Sequence, residues 1–203
     1  MKKFLAVAFL ISMSAPAFAE GLYVGGTLGL AALDASDLEP VGGGAIQSFQ
    51  MNLGFSGGVM VGSVIGENMR VEGELIYSTA GAEQIGSTTV SGSVGALQLG
   101  ANLLYDFGGE RVRPYVGGGL AVINIDVGDV NISGSPVFEG AVTTGAAQII
   151  LGVSIPLESV TLFADYRGLM TPSIDLTVAG GGSTWTMDSY FRNSLMFGFR
   201  AAF

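Results

Sequence analysis

Six ionisable residues of the 203-residue chain stand out by type and spacing: Glu72, Glu74, Asp106, Asp165, Arg167 and Arg200. Glu72 and Glu74 are two apart, as are Asp165 and Arg167, and in an extended chain that spacing puts both members on one face. Carboxylates held together can pass a proton between them, and a carboxylate beside a guanidinium can open and close, so one reading is a proton path or gate in a narrow channel. The competing reading is a polar plug. An eight-stranded barrel is only wide enough for side chains to fill, and an unpaired charge in it would cost on the order of several kcal/mol, so pairing is expected for stability alone. Arg200 is expected to pair with Glu72 or Glu74. The amides of Gln98, Asn102 and Gln148 interrupt otherwise apolar rows and belong to the same inner lining.

Hydrolytic chemistry has less to draw on. The chain has no histidine and no cysteine, which removes the commonest general base, the commonest transition-metal ligand and the thiol nucleophile. Ser36, Ser87, Ser133 and Ser183 have no base near them in sequence. The sequence reads as non-enzymatic, without catalytic, cofactor-binding or metal-binding residues.

The elements that must position these side chains are strands, because apolar residues recur at every second place. Leu22, Val24, Leu28 and Leu30 alternate with Tyr23, Gly25, Thr27 and Gly29 in the first. The second, Phe49 to Gly62, sets Met51, Leu53, Phe55, Val59 and Val61 against Gln50, Asn52, Gly54, Ser56 and Gly58. The third, Arg70 to Thr79, sets Val71, Leu75 and Tyr77 against Glu72, Glu74 and Ile76. In the fourth, Val94 to Phe107, the row from Leu97 to Phe107 opposes Gln98, Gly100, Asn102 and Asp106. The fifth, Arg113 to Asp126, alternates least clearly, and its register is open. The sixth, about Val142 to Pro156, points Ile149, Leu151, Val153 and Ile155 out and Gln148, Gly152 and Ser154 in. The seventh, Val160 to Met170, turns Leu162, Ala164 and Tyr166 out and Asp165 and Arg167 in. The eighth, Tyr190 to Phe203, puts Leu195, Phe197, Phe199, Ala201 and Phe203 on the apolar row and Ser194, Gly198, Arg200 and Ala202 on the other. The inner face is plainly polar in the third and fourth strands.

The connections alternate in length. Ser63 to Met69, Gly108 to Val112 and Leu157 to Ser159 are short. Ala31 to Ser48, Ala80 to Ser93, Val127 to Ala141 and Thr171 to Ser189 are long, as in outer-membrane barrels with short periplasmic turns and longer extracellular loops. A secreted soluble β-sandwich or lipocalin-like barrel also has alternating strands, but it packs the apolar row inward. Here the polar rows carry the glycines suited to a crowded lumen, and aromatics end the apolar rows, where interfacial girdles belong. The fold class expected is all-β: an eight-stranded antiparallel up-and-down transmembrane β-barrel.

Met1-Lys2-Lys3, the apolar run Phe4 to Met13 and the small-residue exit Pro16 to Ala19 read as a signal peptide over 1–19. Cleavage between Ala19 and Glu20 leaves 20–203 as the barrel. The run falls well short of the roughly 20 apolar residues of a spanning helix. The chain is 49% hydrophobic and 12% charged, broken into strand-length rather than helix-length runs. Both lysines fall in the leader, leaving six arginines against 17 acidic residues, a balance that excludes nucleic-acid binding through a basic surface.

Gly21 to Gly26, Arg113 to Gly119, Ala164 to Arg167 and Ser194 to Phe203 together resemble the outer-membrane β-barrel domain proteins, the OmpA-like transmembrane barrels and opacity-protein-like surface antigens of Gram-negative bacteria. That resemblance implies an outer-membrane location and a structural or surface-antigen role. It also implies partners: outer-membrane lipid, lipopolysaccharide and the barrel-assembly machinery, for which Leu195, Phe197, Phe199 and Phe203 resemble the terminal assembly signal. The alternatives are a narrow porin-like channel and a lipid-modifying enzyme. Unlike two-domain members, the sequence stops at Phe203, so the barrel and its loops are expected to carry the function.

The long connections hold Asp34, Asp37, Glu39, Glu83, Asp129, Glu139, Asp175 and Asp188 and no basic residue. They read as a solvated acidic surface, a bridge through divalent cations to lipopolysaccharide, or the contact for a host or environmental ligand. No segment has the spacing of a calcium loop. Trp185 reads as an interfacial anchor, an extended strand tip or a ligand-stacking residue.

Overall fold

The computed structural model describes residues 21–33, 36–40, 47–51, 53–85, 88–89, 91–127, 131–132, 135–136, 138–178, 184–187, 189 and 191–203. The expected leader, with its cleavage pair Ala19 and Glu20, lies outside them. So do Ser87, Ser133 and Ser183 and the acids Asp34, Asp129 and Asp188.

All elements are strands. In chain order they are β1 Leu22–Leu33, β2 Ser36–Pro40, β3 Gln47–Met51, β4 Gly54–Ile65, β5 Met69–Ile85, β6 Thr88–Thr89, β7 Ser93–Asp106 and β8 Arg113–Asp126. There follow β9 Asn131–Ile132, β10 Ser135–Pro136, β11 Phe138–Glu139, β12 Ala141–Pro156, β13 Val160–Met170, β14 Ile174–Val178, β15 Thr184–Met187 and β16 Phe191–Ala202.

Eight of them close a ring. Antiparallel pairing runs β1–β4, β4–β5, β5–β7, β7–β8, β8–β12, β12–β13 and β13–β16, and β16 returns to β1 from Tyr23↔Ala202 to Leu33↔Arg192. The Phe203 amide donates to the Leu22 carbonyl at 3.2 Å, extending that seam beyond the last strand residue. Closure matters because the hydrocarbon interior supplies no water to satisfy an open strand edge. Outward rows are apolar and meet lipid: Leu28 is 73% exposed, Leu99 65% and Leu120 73%. At the short-turn end Tyr105 and Phe107 pack edge to face with centroids 5.2 Å apart, as an interfacial aromatic girdle requires. The turn after β4 carries Gly66 at φ 66° and the turn after β7 carries Gly108 at φ 77°, a left-handed conformation that glycine enters at little cost.

At the end with the long connections the wall continues beyond the ring as a second sheet, in the order β11-β14-β15-β2-β3-β5, with β6 also on β5. Several expectations change here. The long connections are not plain loops: β5 runs on to Ile85, and the others contain β2, β9, β10, β11, β14 and β15. In β14, Ile174 and Leu176 are buried while Asp175 between them is exposed, so period-two alternation persists and gives the long-connection end a core of its own. The single second strand expected over Phe49 to Gly62 is two. β4 pairs with β1, whereas β3 pairs with β2, and its register against β5 shifts between Gln50 and Met51. The change of partner requires the break. β4 also reaches Ile65, so the following turn is shorter than Ser63 to Met69.

The inner face is not polar throughout. Val94, Ala96, Ala121, Ile123, Ile125, Ala146 and Leu169 line the half of the lumen nearer the long connections and pack with Ile174, Leu176 and Met187 beyond them. Trp185 of β15 packs against this cluster. Nearer the short turns, Met60, Leu104, Ile150, Tyr115 and Phe163 form a smaller apolar cluster. Burying these groups away from both water and lipid contributes on the order of 1.5–3 kcal/mol for each large aliphatic side chain.

Candidate functional site in the barrel lumen

Three cross-strand pairs floor the lumen at its short-turn end. Tyr23 faces Gly62, Tyr115 faces Gly152 and Phe163 faces Gly198. In each pair the ring lies across the glycine, and a Cβ there would sit 2.4, 2.4 or 2.3 Å from a ring carbon. Glycine is therefore required by space. The flattened tyrosines reach across the interior: Tyr23 donates its hydroxyl to Glu72 Oε1 at 2.7 Å, and Tyr115 donates to Asp165 Oδ2 at 2.8 Å.

Above and between them lies the charged layer. Arg167 holds Asp165 with two donors, Nε to Oδ1 at 2.8 Å and Nη2 to Oδ2 at 3.2 Å. Its Nη1 donates to Glu74 Oε2 at 2.5 Å. The other Glu74 oxygen accepts from Gln98 Nε2 at 2.8 Å and Gln148 Nε2 at 2.6 Å. Gln148 Nε2 also donates to Asn102 Oδ1 at 2.6 Å. Arg192 continues the network upward through Gln98 Oε1 and through Ser78 Oγ at 3.0 Å, and Ser78 meets Ser56 at 2.7 Å.

Towards the short turns, Arg70 Nη1 donates to Glu72 Oε1 at 3.0 Å, and Arg70 Nε lies 2.9 Å from Asp106 Oδ2. Arg200 Nη1 stands 3.6 Å from Glu72 Oε1, with its guanidinium 5.3 Å from the Phe163 ring centre and 5.7 Å from those of Tyr23 and Tyr115. Arg70 lies over Tyr115 at 4.5 Å. Charge-assisted, bidentate contacts of this kind are the strong class of hydrogen bond.

The structure thus brings Glu72, Glu74, Gln98, Asn102, Gln148, Asp165, Arg167 and Arg200 together as buried groups, with Asp106 at the partly open edge. Leu195, Phe197 and Phe199 point outward on β16, and Phe203 follows it, 76% exposed. Four participants were not anticipated. Arg70 and Arg192 share parity with Glu72 and Ser194 and fall within the expected third and eighth strands, so the period-two rule marks them as inward. For Tyr23 and Tyr115 the glycine opposite each was the available signal.

Chemically the arrangement is a set of paired charges and amides, in which Arg70 Nε and Nη2, Arg200 Nε and Asn102 Nδ2 are buried without an acceptor among the described residues. The lumen hydroxyls of Thr27, Ser63 and Ser154 donate to backbone carbonyls rather than to a base. Among the described residues, no three acids gather as a metal site. Asp175, the one loop acid with a side chain on view, accepts a bond from Thr186 at 2.8 Å. Among the described residues, nothing in the lumen resembles an activated nucleophile.

Residues 5–200 match the family model described as outer membrane protein beta-barrel domain. Among solved structures, Neisserial surface protein A shares 22% identity and a TM-score of 0.57, covering 90% of this chain and 97% of that one. The N-terminal β-barrel domain of Pseudomonas aeruginosa OprF gives 19% identity, coverage of 86% and 96%, and a TM-score of 0.35. Ail, the attachment invasion locus protein of Yersinia pestis, gives 15%, coverage of 85% and 99%, and 0.39. No curated protein matches the sequence. A chain that closes eight strands with its apolar rows outward, and fits that family model over all but its ends, belongs to the outer membrane protein beta-barrel domain family, and its place is the bacterial outer membrane.

Proposed function

We propose that the protein serves a structural and surface-interaction role, with a lumen plugged by paired side chains and four long extracellular connections that meet the environment or a host. The observation that carries this reading is the Arg167–Glu74 bond. It joins strands on opposite sides of the ring and crosses the path that a solute would take. The extracellular sheet supports the second half, because it presents a shaped surface rather than slack chain. Neisserial surface protein A, whose fold is similar, is by its name a surface protein.

Outer-membrane lipid and lipopolysaccharide cover the apolar rows in this reading. Leu195, Phe197, Phe199 and Phe203 serve the assembly machinery as well as the lipid contact, and Glu20 begins the exported chain. Limited proteolysis of intact cells tests the display. Cleavage confined to Ala31–Ser48, Ala80–Ser93, Val127–Ala141 and Thr171–Ser189 is expected. Cleavage at Gly66–Asn68 or Gly108–Val112 in unbroken cells would reverse the orientation and remove the reading.

A further inference from the structure

Every carboxylate of the inner network has a cation beside it, but the guanidiniums at the short-turn end hold more N–H donors than the carboxylates there accept. At the short-turn end, Arg70 Nε, Arg70 Nη2 and Arg200 Nε are buried donors without an acceptor. Asp106 forms an ion pair with Arg70 at 2.9 Å, yet its oxygen lies off the N–H direction, so that donor stays unused. Both guanidiniums are more than nine-tenths buried, with side chains 3% and 8% exposed. A buried donor left unmet costs on the order of 1–3 kcal/mol, more when charged.

These donors border a cavity of about 200 Å³. Arg113 also lines it, its Nε donating to the Gly109 carbonyl at 2.9 Å, with Tyr23, Thr161 and Asp106 on the wall. Three of the chain's six arginines therefore surround one cavity, facing a single lining carboxylate, in a protein whose formal charge is −9. Its remaining walls are strand ends, Gly21 of the chain entering β1, Pro156 of β12 and Ala202 of β16, so it opens beside the short turns, on the periplasmic side.

We propose that this cavity is a binding site for an oxyanion, a carboxylate or phosphate group entering from the periplasm. The anion accepts from Arg200 Nε and Arg70 Nη2, with Arg113 at the mouth as the electrostatic guide. Planar guanidinium forks match such groups in geometry as well as charge. The site is terminal. Above it, the Tyr23–Glu72 and Tyr115–Asp165 bonds and the Arg167–Glu74 pair close the way, so the anion is held rather than conducted.

The test is a titration of the folded full-length barrel in detergent with inorganic phosphate, and separately with acetate, against chloride at matched ionic strength. The readout is the arginine side-chain N–H resonances by NMR. Saturable shifts of the Arg200 and Arg70 signals by either anion support the site, and the responding anion identifies its class. Arg113→Gln, at the exposed mouth, where the side chain's bond in the structure is to the Gly109 carbonyl of the turn, should weaken the apparent Kd by up to about tenfold, the equivalent of one charged hydrogen bond. Asp106→Asn, which removes the competing carboxylate, should tighten it. No shift beyond chloride with either anion would overturn the proposal, and so would an affinity unchanged in both variants.

Discussion

Arg167 and Glu74 meet across the full width of the barrel, Nη1 to Oε2 at 2.5 Å, from strands β13 and β5 that have three strands between them on either side of the ring. Only a narrow barrel allows this contact. Both groups are buried, with side chains 5% and 0% exposed, so neither can turn to water when its partner is lost. Removing one charge is then worse than removing both, since the survivor is stranded in a medium that solvates it poorly. Arg167→Met should destabilise the barrel by about 3–5 kcal/mol. It should appear as a lower midpoint in the heat-dependent gel-mobility shift of the folded barrel. Adding Glu74→Gln to Arg167→Met should recover part of that loss, and a midpoint unchanged in the single variant would show that the pair does not bear on stability.

The aromatic–glycine pairs make a second prediction, about space rather than charge. A Cβ at Gly152 would meet the Tyr115 ring at 2.4 Å, while one at Gly145 on the same strand would meet nothing within 4 Å. Gly152→Ala should cost roughly 1–3 kcal/mol, as overpacking does. It should also loosen the Tyr115–Asp165 bond. Gly145→Ala should leave the midpoint where it is, and equal effects at the two positions would remove the argument.

The apolar upper layer separates two kinds of exposed-looking isoleucine and leucine. Ile123 is fully buried inside, whereas Leu120, three residues earlier, is 73% exposed to lipid. Ile123→Ala leaves a cavity and should cost about 2–5 kcal/mol. Leu120→Ala leaves a gap that lipid chains fill, and its midpoint should barely move. Leu120→Arg on the lipid face should lower stability by up to about 2–4 kcal/mol, depending on its depth.

Much of this was legible in the sequence because side-chain direction in a strand has a strict period of two. Gln98, Asn102, Gln148 and Glu72 each alternate with apolar residues on the opposite row, and that alternation assigns them to the inside. The β8 and β13 boundaries, Arg113–Asp126 and Val160–Met170, follow from the same rule. What could not be read was height. Arg167 and Glu74 are 93 residues apart, and only the stagger of eight paired strands decides that they meet. The apolar interior was hidden for a different reason. In β8, Leu120 and Val122 face lipid while Ala121 and Ile123 face the core, so both rows are apolar and the alternation that identifies an inner face vanishes. The strands within the long connections were obscured by their acids, which read as loop although Asp37 and Glu39 lie in β2 and Asp175 lies in β14 between Ile174 and Leu176.

Export is open to a direct check. Mass spectrometry of the protein purified from outer membranes should give a chain starting at Glu20, and a mass retaining Met1 to Ala19 would replace the cleaved leader with an anchor.

The central claim is that paired side chains close the lumen and leave the extracellular surface to act. Single-channel recording of the purified wild-type barrel in a planar bilayer addresses it most directly. The paired network predicts a silent membrane across the physiological voltage range, with openings appearing when Arg167 and Glu74 are both replaced by alanine. Steady, reproducible openings of the wild-type protein would contradict the closed lumen and return the narrow channel as the function.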